Sequence, residues 1–128
     1  MDAEGRRDVK RAHIVLVCGG RDYTDREAVR AALDKLSERR GGNVTILHGG
    51  CHTGADSLAE EWAIARERPS IIVRAEWSKY GKSAGPRRNA IMLHYIPDGV
   101  VAFPGGSGTL DMCTKAEDAG FAVWRPCR

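Results

Sequence analysis

The sequence predicts an α/β three-layer sandwich, with a five-stranded parallel sheet and helices on both of its faces. Three observations carry that prediction. Short β-branched runs alternate with longer helical segments from Ile14 to Trp124, an order that yields a parallel sheet covered on both sides. The first run, His13 to Cys18, is almost continuously apolar, as a strand buried on both faces must be. Glycine-rich breaks follow three of the runs directly. At 128 residues the chain is one domain's worth. A chain of that size buries roughly two-thirds of its unfolded surface and needs no metal or disulfide to hold it. The charged stretch 1–11 is expected to be a flexible tail and 12–128 a single domain.

Each element has its own signal. Gly19-Gly20 breaks the first strand, and Thr24-Asp25-Arg26-Glu27 reads as a capping box opening a helix. Val29, Ala32, Leu33 and Leu36 share a face of that helix, which ends near Gly41-Gly42. Strand two is Val44 to Leu47. The helix after it, about Ala55 to Arg66, places Leu58, Ala59, Trp62 and Ala63 at helical spacing and stops before Pro69. Strand three is Ile71 to Val73, and the connection Glu76 to Gly85 is longer than such crossovers need. Pro86 suits the first position of a helix carrying Ile91, Met92 and Tyr95. Strand four, Gly99 to Phe103, runs into Pro104-Gly105-Gly106-Ser107-Gly108-Thr109 and a helix to about Ala119, and Phe121 to Trp124 forms the last strand.

Composition excludes several classes. No apolar run approaches the roughly 20 residues of a membrane span, and MDAEGRRDVKR has no apolar core of a secretory leader. Cysteines at 18, 51, 113 and 127 form no CxxC pair, so reduced thiols and a cytoplasmic location are expected. A net charge of +3, spread along the chain, does not by itself call for nucleic acid.

The chemistry is expected on the loops. In open parallel sheets ligands lie beyond the carboxyl ends of the strands, where strand order reverses. The candidate ligand contacts after strand one are Gly19, Gly20, Arg21 and Asp22. After strand two they are Gly49, Gly50, Gly54, Ala55 and Asp56, and after strand four Gly105, Gly106, Ser107, Gly108 and Thr109. Glycine lets backbone approach a ligand closely, and the following helix directs its free amides at an anion. None of these runs is a Walker A or GxGxxG motif, so no standard NAD or ATP site is supported, and no cofactor is implied.

The long connection adds Tyr80, Lys82, Arg87, Arg88 and Asn89, with Trp77 beside them. Arginine supplies a planar fork for phosphate, and aromatics can stack on a base. Arg21 and Asp22 either clamp a phosphate and a ribose hydroxyl or form an ion pair across their loop. Asp56, in the first turn of its helix, either meets a ribose hydroxyl, acts as a base or serves the helix dipole. His48, Cys51 and His52 lack a fourth ligand at a recognised spacing, so no metal site is expected. The basic and aromatic residues from Trp77 to Arg88 also suit single-stranded nucleic acid. That cluster is too brief to track several phosphates, and nucleic acid is the disfavoured partner.

GGRDYTD, HGGCHTGADSLAEEWA, WSKYGKSAGPRRNAIML and FPGGSGT stand in one order between His13 and Val123. Together they resemble the YspA/YpsA-related branch of the SLOG superfamily, whose other branches include the LOG phosphoribohydrolases and the DprA single-strand DNA-binding proteins. The resemblance implies a Rossmann-like fold and the binding of a nucleotide or nucleotide-derived phosphorylated small molecule. It leaves a homodimer or higher homo-oligomer open. The LOG enzymes carry PGGxGTxxE, whose glutamate serves cleavage of an N-glycosidic bond. This chain has PGGSGTLDM, with Met112 at the glutamate position, while Arg88 resembles the arginine those enzymes use. Sensor- or carrier-type binding is therefore expected over hydrolysis. Should the chain be an N-glycosidase, Arg88 and Asp56 are the expected catalytic pair.

Overall fold

The computed structural model describes residues 11–127. In chain order the elements are β1 (His13–Cys18), α1 (Arg26–Arg39), β2 (Val44–His48), α2 (Gly54–Ala65), β3 (Ser70–Ile72), α3 (Trp77–Tyr80), a 3-10 turn (Gly81–Ser83), α4 (Ala84–Leu93), β4 (Gly99–Ala102), α5 (Ser107–Asp118) and β5 (Val123–Trp124). The sheet is five-stranded in the order β3-β2-β1-β4-β5, and each neighbouring pair is parallel. Chain order reverses between β1 and β4, which places the switch point beside the carboxyl end of β1.

The apolar first run is explained by two cores. Val15 and Val17 join Val29, Leu33, Ile46, Trp62 and Phe103 on the face covered by α1 and α2. Leu16 and Cys18 join Leu47, Met92, Val100, Met112 and Cys113 under α4 and α5. Alternate residues of one strand thus enter opposite cores, so neither parity can be polar. On the first face the Trp62 indole donates to Asp34 at 2.9 Å and Arg66 pairs with the same carboxylate at 2.8 Å, clasping α2 to α1. At the amino edge Asp98 accepts from the Ile14 amide at 2.8 Å and from Arg11 at 2.8 Å. Arg11 is thereby tied to the sheet, while the rest of the expected tail, 1–10, lies outside the described residues.

Several local expectations are corrected. The helix cap is Asp25, whose carboxylate accepts from the Ala28 amide at 3.0 Å. The capping motif is therefore one residue later than a Thr24 box would place it. Strand three is Ser70–Ile72, although the Val73 amide still reaches the His48 carbonyl at 2.9 Å. The long connection is not an open loop, since α3 and the 3-10 turn occupy it. The Trp77 ring packs on α4 at Gly85, where a Cβ would stand 3.2 Å from it. Pro86 is the third residue of α4, a position whose amide has no intrahelical partner in any helix. Met92 is buried and Ile91 exposed, while Tyr95 lies beyond the end of α4 and is exposed. Among the described residues no helix is long and apolar enough to cross a membrane.

Candidate functional site

The three glycine turns meet on Gly20. Its amide donates to the Pro104 carbonyl at 2.9 Å, and its own carbonyl accepts from the Ala55 amide at 3.2 Å. The turns after β1, β2 and β4 are therefore hydrogen-bonded to one another at the switch point. Several glycines exist for this close approach. A Cβ on Gly19 would lie 2.6 Å from that of Ala55, and one on Gly105 would lie 2.6 Å from the Gly20 nitrogen. Gly54, at φ +76, would push a Cβ to 2.1 Å from the Gly20 carbonyl oxygen. Gly106 and Gly108 differ, because a Cβ at either meets nothing within 4 Å. Close packing does not require glycine at these two positions, and they lie on the open side of the turn.

Both helices that start here lack side-chain caps. Gly106 precedes α5 and Thr53 precedes α2, and neither helix start receives a capping side chain. At α2 the Ala55 amide is taken by Gly20 and the Cys51 amide by Asp56 at 3.3 Å. At α5 the opening amides of Ser107, Gly108 and Thr109 stand at the positive end of the helix.

Asp56 and Arg88 converge on the side of Gly49 from which a side chain would project. A Cβ on Gly49 would stand 2.1 Å from Arg88 Nη1 and 3.0 Å from Asp56 Oδ2. Arg88 Nη1 donates to the Gly49 carbonyl at 3.0 Å and Nε to Asn89 Oδ1 at 3.0 Å. Burial pushes the Asp56 carboxyl up, against the amides of Cys51 and Gly49 and the Arg88 charge. Burial likewise lowers Arg88, with Asp56 opposing and Arg21 assisting. Asn89 is 4% exposed, and its amide nitrogen donates to the Gly108 carbonyl at 3.2 Å and to Asp111 at 3.0 Å. Asp111 is in turn paired with Lys115. A polar chain thus runs Lys115–Asp111–Asn89–Arg88–Gly49 and fixes the guanidinium between the turns after β2 and β4.

The other expected contacts divide. Arg21 is exposed with its guanidinium 5.2 Å from the Trp77 ring centre, so the turn after β1 touches α3. Asp22 is exposed beside it. Arg87 lies 4.3 Å over the Tyr80 ring and donates to Ser83 Oγ at 3.1 Å, and Lys82 is exposed on the same 3-10 turn. Tyr80 and Arg87 thus make their contacts with each other and with Ser83 rather than with the glycine turns.

Two hollows flank the meeting point. One, of about 230 Å³, opens beneath the turn after β4 and is lined by Phe103, Gly105, Gly106, Thr109, Cys113 and Arg125, among others. The larger, about 560 Å³, lies beside the turn after β2 against His48, Gly50, Cys51, Glu60, Ile72 and Arg74. In it His48 is buried. Its Nδ1 accepts from the Gly50 amide at 3.0 Å, so Nε2 carries the proton it donates to Glu60 at 2.8 Å. With both ring nitrogens engaged His48 shapes the turn, and no cluster of three metal-ligating residues occurs among the described residues. Arg74 and Arg125 escaped the sequence argument. Arg74 leaves β3 and donates to the Gly50 carbonyl at 2.7 Å. Its only sequence signal was a basic residue directly after a strand that no glycine marks.

Similarity to known proteins follows the same segments. A family model described as "YAcAr: YspA, cpYpsA-related SLOG family" matches residues 13–80. That span holds the turns after β1 and β2 and reaches Trp77 to Tyr80. The chain is also similar to the "Gene 61 protein" of Mycobacterium phage D29, at 35% identity over 116 residues, covering 85% of this chain and 92% of the relative.

Proposed function

The chain belongs to the YspA, cpYpsA-related SLOG family, and on that premise we propose that it binds a nucleotide or nucleotide-derived phosphorylated small molecule across the turns leaving β1, β2 and β4. The observation that carries this reading is the mutual hydrogen bonding of those turns on Gly20 beside an uncapped helix start at Gly106. A phosphate placed over Ser107, Gly108 and Thr109 meets free amides and the positive end of α5, each such helix end contributing about 0.3–1 kcal/mol or more when partly buried. Arg21 and Arg88 add charge from the neighbouring turns. Trp77, 46% exposed beside Arg21, offers a surface for a base. The four free thiols suit a reducing, cytoplasmic setting.

Binding without LOG-type hydrolysis is the favoured form of this reading. Met112 is 1% exposed in the core under α5, and Asp111 is held by Asn89 and Lys115. Neither presents a carboxylate to a sugar. A second reading, an N-glycosidase, draws on Asp56, whose raised protonation beside Arg88 suits a general acid. Against it, that carboxylate is turned onto the Cys51 amide.

Calorimetry against a panel of mono- and dinucleotides tests the proposal. At least one member should bind tighter than about millimolar, and Gly106→Ala and Arg21→Ala should each weaken it by about tenfold, or 1.4 kcal/mol, with thermal stability unchanged. A panel in which nothing binds would end the reading. Chromatography of the same mixtures should show no released base. Release that disappears in Asp56→Asn would establish the N-glycosidase instead.

A further inference from the structure

Asn89, expected from its place in the sequence to touch a ligand, spends its side chain on other members of the site. It lies on α4 and is 4% exposed. Nδ2 donates to the Gly108 carbonyl at 3.2 Å and to Asp111 Oδ2 at 3.0 Å, while Oδ1 accepts from Arg88 Nε at 3.0 Å. Both amide protons are therefore used. The partners also dictate which way the amide faces. A carbonyl and a carboxylate on one side only accept, and the guanidinium on the other only donates. Turning the amide over would set oxygen against oxygen and N–H against N–H. The Lys115 ammonium paired with Asp111 favours the ionised, accepting carboxylate.

The bond to Gly108 acts on the opening of α5. The Gly108 carbonyl and the Thr109 amide belong to one planar peptide group, so fixing the first fixes the direction of the second. That opening has little rigidity of its own. It reads Gly106-Ser107-Gly108, and a Cβ at either glycine meets nothing within 4 Å, which leaves the backbone its full conformational freedom. The same side chain holds Arg88. With Nε on Asn89 and Nη1 on the Gly49 carbonyl at 3.0 Å, the guanidinium is fixed at two points. The remaining donors of its fork are left for an anion.

We propose that Asn89 is a positioning residue that joins the Thr109 amide and the Arg88 guanidinium into one unit for recognising an oxyanion, and touches no ligand itself. The inference rests on the reading that a phosphate lies over the opening of α5, and it deepens that reading. One amide group separates the two arms, so an anion with several oxygens, such as the diphosphate of a nucleotide, engages both together. Removing the donors of Asn89 therefore uncouples the arms instead of merely loosening the fold. Asn89→Asp keeps the acceptor for Arg88 and loses both donors to α5. Asn89→Leu, of similar size, loses all three bonds.

The test follows nitrogen-15 resonances of the full-length protein during titration with inorganic pyrophosphate. In the unsubstituted chain the Gly108 and Thr109 amides and the Arg88 Nε–H should shift with one common midpoint, and the Nε–H should exchange slowly with water before any is added. In Asn89→Asp the midpoint should rise by about tenfold while the Nε–H still exchanges slowly. Asn89→Leu should show the same weakening together with fast Nε–H exchange. A packing role alone would lower both melting temperatures and leave the midpoint where it was, and that result would overturn the proposal. Should a variant fail to fold, the unsubstituted chain decides: separate midpoints for Arg88 and Thr109, or fast Nε–H exchange, refute the coupling. If pyrophosphate shifts neither group in the unsubstituted chain, the phosphate reading of the turns falls and this inference falls with it. An unchanged midpoint in Asn89→Asp with binding intact removes this inference alone.

Discussion

A side chain at position 54 has nowhere to go. Its backbone lies at φ +76, and a Cβ would press to 2.1 Å from the Gly20 carbonyl oxygen and 2.6 Å from the Arg21 Cα. Backbone cannot swing aside as a side-chain tip can, so Gly54→Ala should cost about 2–4 kcal/mol, read from urea denaturation. Asp56 makes a different prediction. Its carboxyl is raised from its ordinary 3.8 by burial, so the folded state holds the proton more tightly than the unfolded one. The stability it contributes is full below the ordinary value and is lost as pH rises through the raised folded value. Asp56→Asn, which keeps an acceptor for the Cys51 amide, should therefore gain on the unsubstituted protein between about pH 4 and about pH 7. Denaturation at both pH values checks this, since Glu60, Asp98 and Asp111 titrate alike in both proteins. A difference that shrinks with rising pH would refute the assignment.

At the scale of elements, helix ends and crossovers were legible to differing depths. The periodicity of Val29, Ala32 and Leu33 located α1 and its buried face, but the box read from Thr24 set the cap one residue before Asp25. Asp25→Ala should cost about 1 kcal/mol while Thr24→Ala costs far less, as measured by thermal unfolding of the two variants. Had the capping box begun at Thr24, the order would reverse. The connection after β3 read only as longer than a crossover needs. In the structure it holds two helical turns, and Trp77 lies against the bare backbone of Gly85, a contact within the connection that no periodicity announces. Ile91 on α4 and Tyr95 just beyond it, both assigned to one helix by their spacing, are exposed, since a hydrophobic residue does not state which partner it has.

For the whole molecule, the meeting of three turns on Gly20 converts separate local features into one site. A ligand bound there bridges β1, β2 and β4, so it should stabilise the fold rather than one loop. At a free concentration one hundredfold above its Kd, a bound nucleotide should add about 2.7 kcal/mol to unfolding, visible as an upward shift in melting temperature. Gly106→Ala should lose most of that shift at the same concentration while melting normally without ligand. A shift retained in full would place the phosphate elsewhere.

Alternation of strand and helix patterns, the doubly apolar β1 and the positions of the glycine turns were set by sequence, because periodicity and backbone freedom are local properties. The sheet order and the reversal beside β1 were settled by tertiary packing. So were the division of glycines into those that admit a neighbouring backbone and those facing open space, and the clasp of Asn89 and Arg88 on the turn after β2. Each joins residues far apart in the chain, and the free energy that selects such pairs depends on distances that only the folded backbone defines.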